Sequence, residues 1–93
     1  MVLTMPQPMS PQRAEILGLE ALAWLVSDEG GIARFLAASG VSQGDLRDAA
    51  GSPGLTMAIF DFLLSHEDLL LAFCDGTGTS TADLHRARHA LGP

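Results

Sequence analysis

The chain has 93 residues, 47% of them hydrophobic, with 11 acids against 5 arginines and no lysine, a net charge of −6. That length makes one domain with one modest core, too small for a deep substrate cavity unless a partner subunit completes it. The negative balance repels phosphate backbones and anionic lipid, which argues against general nucleic-acid or membrane-surface binding.

Residues 1–9 hold Pro6 and Pro8, no basic cluster and no apolar run of signal-peptide length, and read as a flexible N-terminal arm. The remaining residues, 10–93, read as a single helical domain. Ser10-Pro11 is a start signal, a capping serine with proline in the first helical position. The first helix then runs to about Ser27, and Ile16, Leu17, Leu19, Leu22, Ala23, Trp24, Leu25 and Val26 cover most of its circumference. A helix apolar nearly all round is either central or covered by a partner. Asp28-Glu29-Gly30-Gly31 reads as a turn using both glycines. A shorter helix with Ile32, Phe35, Leu36 and Ala37 follows, closed by Gly40 as a left-handed cap.

Ser42-Gln43-Gly44-Asp45, Ser65-His66-Glu67-Asp68 and Ser80-Thr81-Ala82-Asp83 are Ser-x-x-Asp signatures. In each, a serine oxygen accepts from an orphan N–H at a helix start, while the acid three residues on reaches back. Ser42 therefore opens a third helix ending at Gly51, and Ser52-Pro53 opens a fourth carrying Leu55, Met57, Ile59, Phe60, Phe62, Leu63 and Leu64. Ser65 restarts the chain into a fifth helix, from His66 to about Cys74. Gly76 and Gly78 read as a loop, and Ser80 opens the last helix, ending at Gly92-Pro93. No stretch alternates with the period of a half-buried strand. The expected fold is all-α, a compact orthogonal bundle of five to six short helices.

Chemistry is sparse. The lone Cys74 forms no internal disulfide and reads as a core residue of a protein from a reducing compartment. The longest apolar runs, Ala21 to Val26 and Leu69 to Cys74, are far short of a membrane span, so a cytoplasmic location is expected. His85 and His89 stand one turn apart, a two-ligand spacing, but nothing fixes further ligands beside them. Complementing the helix dipole accounts for them better, and no metal or cofactor is expected. His66-Glu67 starts a zinc-protease pattern whose second histidine falls at Leu70, so that pattern fails. Gly76-Thr77-Gly78 lacks the preceding strand of a dinucleotide loop and reads as a turn. No nucleophile and base assemble into a catalytic set, and the chain is expected not to be an enzyme.

Three features bear on partners. Residues 32–50 have the spacing of a helix-turn-helix, with glycine at the turn and Leu46 six residues later. The helix that would read DNA offers Arg47 against Asp45 and Asp48, where cations are needed. Asp61, flanked by Ile59, Phe60, Phe62 and Leu63, either marks the wet edge of an otherwise buried helix or, if it is buried, needs a cation. Arg34 and Arg47 are the expected partners in a structural ion pair. Trp24, Phe35, Phe60, Phe62 and Phe73 are the candidate anchors of an interface, although most of them are expected in the core.

The blocks Arg34-Phe35-Leu36 through Gly40, Gly44-Asp45-Leu46-Arg47, and Phe60-Asp61-Phe62-Leu63-Leu64 to Glu67-Asp68-Leu69-Leu70 occur here in order. From about residue 14 onward the chain resembles a family of short alphaproteobacterial proteins known only as a domain of unknown function (DUF3572-like). The resemblance implies a soluble, helical, single-domain protein with no catalytic residues to carry over. The Gly76-Thr77-Gly78-Thr79 loop is glycine-richer than that family's pattern. The expected function is protein–protein interaction or self-association, with a protein partner or a homo-oligomer. The alternative is a helix-turn-helix-like DNA-associated regulator using residues 32–50.

Overall fold

The computed structural model describes residues 9–92, the side chain of Glu29 excepted. Within them six helices form and no strand: α1 (Pro11–Ser27), α2 (Glu29–Ser39), α3 (Gln43–Ala49), α4 (Pro53–Ser65), α5 (Glu67–Thr77) and α6 (Thr81–Ala90). The expected arm lies outside the described residues apart from Met9, which packs partly buried against the core.

Serine chemistry places four of the six starts. The hydroxyls of Ser10, Ser42, Ser52 and Ser80 accept from the backbone N–H of Arg13, Asp45, Leu55 and Asp83, at 3.1 to 3.3 Å. Each such cap contributes about 1 kcal/mol. Proline follows Ser10 and Ser52 in the first helical position, where its missing N–H is not needed. Gly40 and Gly78 end α2 and α5 in the left-handed region, each with φ 74°, which glycine enters without a Cβ penalty.

Three local expectations are corrected. Gly30 and Gly31 are not a turn: Asp28 alone separates α1 from α2, and its carboxylate accepts from the Gly31 N–H at 2.8 Å. That bond supplies a cap two residues earlier than the glycines suggested. Ser65 is not a cap either. It is the last residue of α4, and its hydroxyl donates to the Asp61 carbonyl four residues back. His66 therefore takes the boundary of α5, with no side-chain cap. Finally, α5 continues through Gly76 to Thr77, so only Gly78 to Ser80 remain as a loop.

The core lies between α1, α4 and α6. α1 packs on α2, α4 and α6, and α4 packs in turn on α2, α5 and α6. Ala14, Leu17, Gly18, Ala21 and Leu25 form the buried face of α1. Small residues on that face let α4 come close: a Cβ on Gly18 would overlap the methyl of Thr56. Thr56 is buried, and its hydroxyl is committed to the Ser52 carbonyl at 3.0 Å. From the other elements Phe35, Ile59, Phe60, Leu63, Phe73 and Leu84 are closed off from solvent. α3 is the lightest attachment, held by buried Leu46 with Val41 and Ala49 partly buried against the core.

Candidate interaction surface

Four of the five aromatic side chains named as interface anchors are core. Phe35, Phe60 and Phe73 are 0% exposed and Phe62 is 6% exposed. Phe35 and Phe62 meet edge to face with ring centroids 5.3 Å apart, and Phe73 meets Trp24 in the same way at 5.6 Å. Large aromatic rings contribute most by being buried, and this small domain uses them so. Trp24 is partly buried, with its indole nitrogen beside Gly76 of α5.

The ion-pair expectation is corrected as well. Asp61 is exposed and pairs with Arg88 of α6 at 2.7 Å, not with Arg34 or Arg47. Arg34 instead forms a two-pronged pair with Asp68, at 2.6 and 3.2 Å, joining α2 to α5. The Arg34 guanidinium holds the Asp68 carboxyl down at about 2, and Asp68 raises Arg34 in return. Both side chains face solvent, so this pair adds little to stability. Arg86 pairs with Asp83 at 2.9 Å, and Arg13 approaches Glu20 at 3.8 Å. Among the described residues, Arg47 is the one arginine of five without a carboxylate within ion-pair distance.

The polar residues offer little reactive chemistry. A hollow of about 360 Å³ between α2 and α4 is lined by Asp61, Ser65 and His66 among others. Ser65 donates to the Asp61 carbonyl, His66 Nδ1 meets the Phe62 carbonyl at 2.8 Å, and the imidazole lies against the Phe62 ring. Each is committed to its own helix backbone, so no nucleophile faces a base. Partial burial, with the Asp83 carboxylate nearby, pushes the Cys74 thiol above its ordinary value, away from thiolate reactivity. His85 and His89 are both exposed on α6, and among the described residues no group of three or more His, Cys, Asp or Glu is placed to hold a metal.

What stands out lies on the outer side of α1. Ile16, Leu19 and Val26 are 50%, 47% and 56% exposed, on the side of the helix away from its buried face. Isolated exposed aliphatic residues are ordinary, but three on one face of one helix form a patch. Leu22 lies between them, partly buried. At its C-terminal end the patch opens into a groove of about 420 Å³, lined by Leu22 and Val26 of α1, Ile32 of α2, and Gln43, Leu46, Arg47 and Ala50 of the α3 segment. Those α3 positions follow one helical face, which turns the single cation of α3 into the groove. Asp45 and Asp48 fall on the opposite side, both exposed.

The sequence showed that α1 is apolar nearly all round, which is the signal for this patch. Aromatic size points instead to residues that the core takes, so aliphatic spacing along α1 is the better guide to what is left exposed. The α2–turn–α3 unit exists as spaced, with Gly40 in the turn, but its seven-residue second helix presents two carboxylates to solvent.

No helix among the described residues is long and apolar enough to cross a membrane. Neither a curated protein nor a solved structure matches the chain. A family model described as "Protein of unknown function (DUF3572)" matches residues 11–93, all six helices, and the chain belongs to that family.

Proposed function

We propose that this protein is a non-catalytic interaction module that binds protein through the outer face of α1. The supporting observation is the exposure of Ile16, Leu19 and Val26 together on a helix whose other face already fills the core. Ile16, Leu19 and Val26 keep about half of their surface in water, so a docked surface that covers the rest recovers roughly half of the ~1.5–3 kcal/mol of full burial for each. The exposed acids Asp45 and Asp48 weigh against reading DNA through α3, because duplex binding needs cations on that side.

The test compares the wild-type chain with a Leu19→Glu/Val26→Glu variant by sedimentation and by affinity capture from the native cell. The module reading expects wild-type associations, with itself or with other proteins, that the variant loses while keeping its helical circular dichroism. Associations that survive the double substitution overturn the placement on α1. A chain that associates with nothing, or that retards duplex DNA, overturns the reading as a whole.

A further inference from the structure

The outer face of α1 has a regularity that exposure alone does not convey. Glu15, Leu19, Leu22 and Val26 are spaced by four, three and four residues, the seam spacing of a two-helix coiled coil. The seam is symmetric about a point between Glu20 and Ala21. Turned end for end, it sets Leu19 against Leu22 and Glu15 against Val26. Arg47 and Val26 both line the groove between α1 and α3. It is the arginine without an ion-pair partner among the described residues. The stripe therefore carries a carboxylate at one end and, in the groove at the other, a cation unmatched among the described residues, in a chain of net charge −6.

We infer that the occupant of this face is a second copy of this chain, joined by antiparallel α1–α1 packing about a two-fold axis. Leu19 and Leu22 form the two central layers, and Glu15 of each copy meets Arg47 of the other. The inference rests on the interaction-module reading and names its partner. A two-fold interface must be self-complementary, each patch serving as its own partner. Both apolar layers and the charges at the ends meet that condition. A foreign protein would not require the carboxylate and the cation to lie at dyad-related positions on the same face.

The test is reciprocal charge exchange, read by analytical ultracentrifugation of the full chain across a dilution series. Wild type is expected to sediment as a monomer–dimer equilibrium. Arg47→Glu and Glu15→Arg are each expected to raise its dissociation constant at least ~10-fold, since each sets like charges together. The Arg47→Glu/Glu15→Arg double variant restores both pairs at the wild-type net charge and is expected to return within ~3-fold of wild type. Arg47→Gln, which removes the cation without reversing it, is expected to weaken the dimer less than Arg47→Glu. Helical circular dichroism establishes that every variant is folded, and Arg47 is exposed, so its replacement leaves the core intact. A chain monomeric at every concentration overturns the second copy, and so does a dimer that is indifferent to both single reversals. So does a pair of reversals whose effects add without rescue. If a foreign protein is then captured in a manner that Leu19→Glu/Val26→Glu abolishes, the module reading stands and only the identity of the partner falls.

Discussion

The two faces of α1 are both apolar, yet they are built from different residues. The buried face is Ala14, Leu17, Gly18, Ala21 and Leu25, in which three of five are small. The outer face is Ile16, Leu19, Leu22 and Val26, all branched aliphatics and three of them about half exposed or more. Small residues let neighbouring helix backbones approach, as the Gly18–Thr56 contact shows. Within one helix, hydrophobicity alone does not separate the face packed inside the domain from the face left exposed, since Leu17 and Leu25 are buried while Leu19 is half exposed. The small residues set among the inner leucines accompany the close packing of that face.

The contrast is broken most severely from the inner side. Leu17 is 1% exposed in the centre of the buried face, so Leu17→Ala removes packed methyl groups and leaves a cavity. A loss of about 2–5 kcal/mol is expected, measured by urea unfolding at a dilution where the chain is monomeric. A loss below 1 kcal/mol would place this face outside the core. Gly18→Ala adds only a methyl, but it drives that methyl into Thr56, whose hydroxyl is held by the Ser52 carbonyl. The expected cost is about 1–3 kcal/mol. A Gly18→Ala/Thr56→Ser double variant, lacking the obstructing methyl, should recover part of it.

What the sequence made legible divides by whether the interaction is local. The starts of α1, α3, α4 and α6 were readable because a cap is local: a serine oxygen and an N–H three residues away suffice. Ser65 carried the same signature and failed, because it lies inside α4 as its last residue, where its hydroxyl donates to the Asp61 carbonyl, and His66 takes the boundary of α5. Gly76 suggested a loop, but α5 runs through it beneath the Trp24 indole, a contact between α1 and α5 that no local pattern reveals. The ion pairs were misassigned for the same reason. Spacing says which residues share a helical face, whereas Asp61–Arg88 and Arg34–Asp68 depend on α4 lying beside α6 and α2 beside α5. The patch on α1 was half legible: its apolar character was in the sequence, but which side the core would take was not.

Ser52→Ala sharpens the comparison at α4, the helix that supplies Thr56. It removes a bond to the Leu55 N–H at 3.3 Å and should cost about 1 kcal/mol. Ser65→Ala, despite the matching signature, should stay within about 0.5 kcal/mol because no helix start depends on it. On the outer face, Leu19→Gln should change the stability of the monomeric chain by no more than about 0.5 kcal/mol, against the several kcal/mol expected two positions earlier at Leu17. Equal losses at Leu17 and Leu19 would mean that the two faces are packed alike.

The smallest expected effect concerns charge outside both faces. Asp68 is held at about 2 by its two-pronged bond to Arg34, below the ordinary value of 3.8. A carboxyl lowered on folding contributes stability that is fully present above its unfolded value and is lost as pH falls through the folded one. For Asp68 that window runs from roughly pH 4 down to about 2. Carboxyl chemical shifts followed by NMR should give Asp68 a midpoint below 3.8 in the wild type, moving back toward 3.8 in Arg34→Gln. Thermal stability at neutral pH should barely differ between the two, because solvent screens an ion pair this exposed. A titration unmoved by Arg34→Gln would show that α2 and α5 are not clasped there. A large stability loss at neutral pH would show that the clasp, rather than the buried face of α1, is a principal support of the fold.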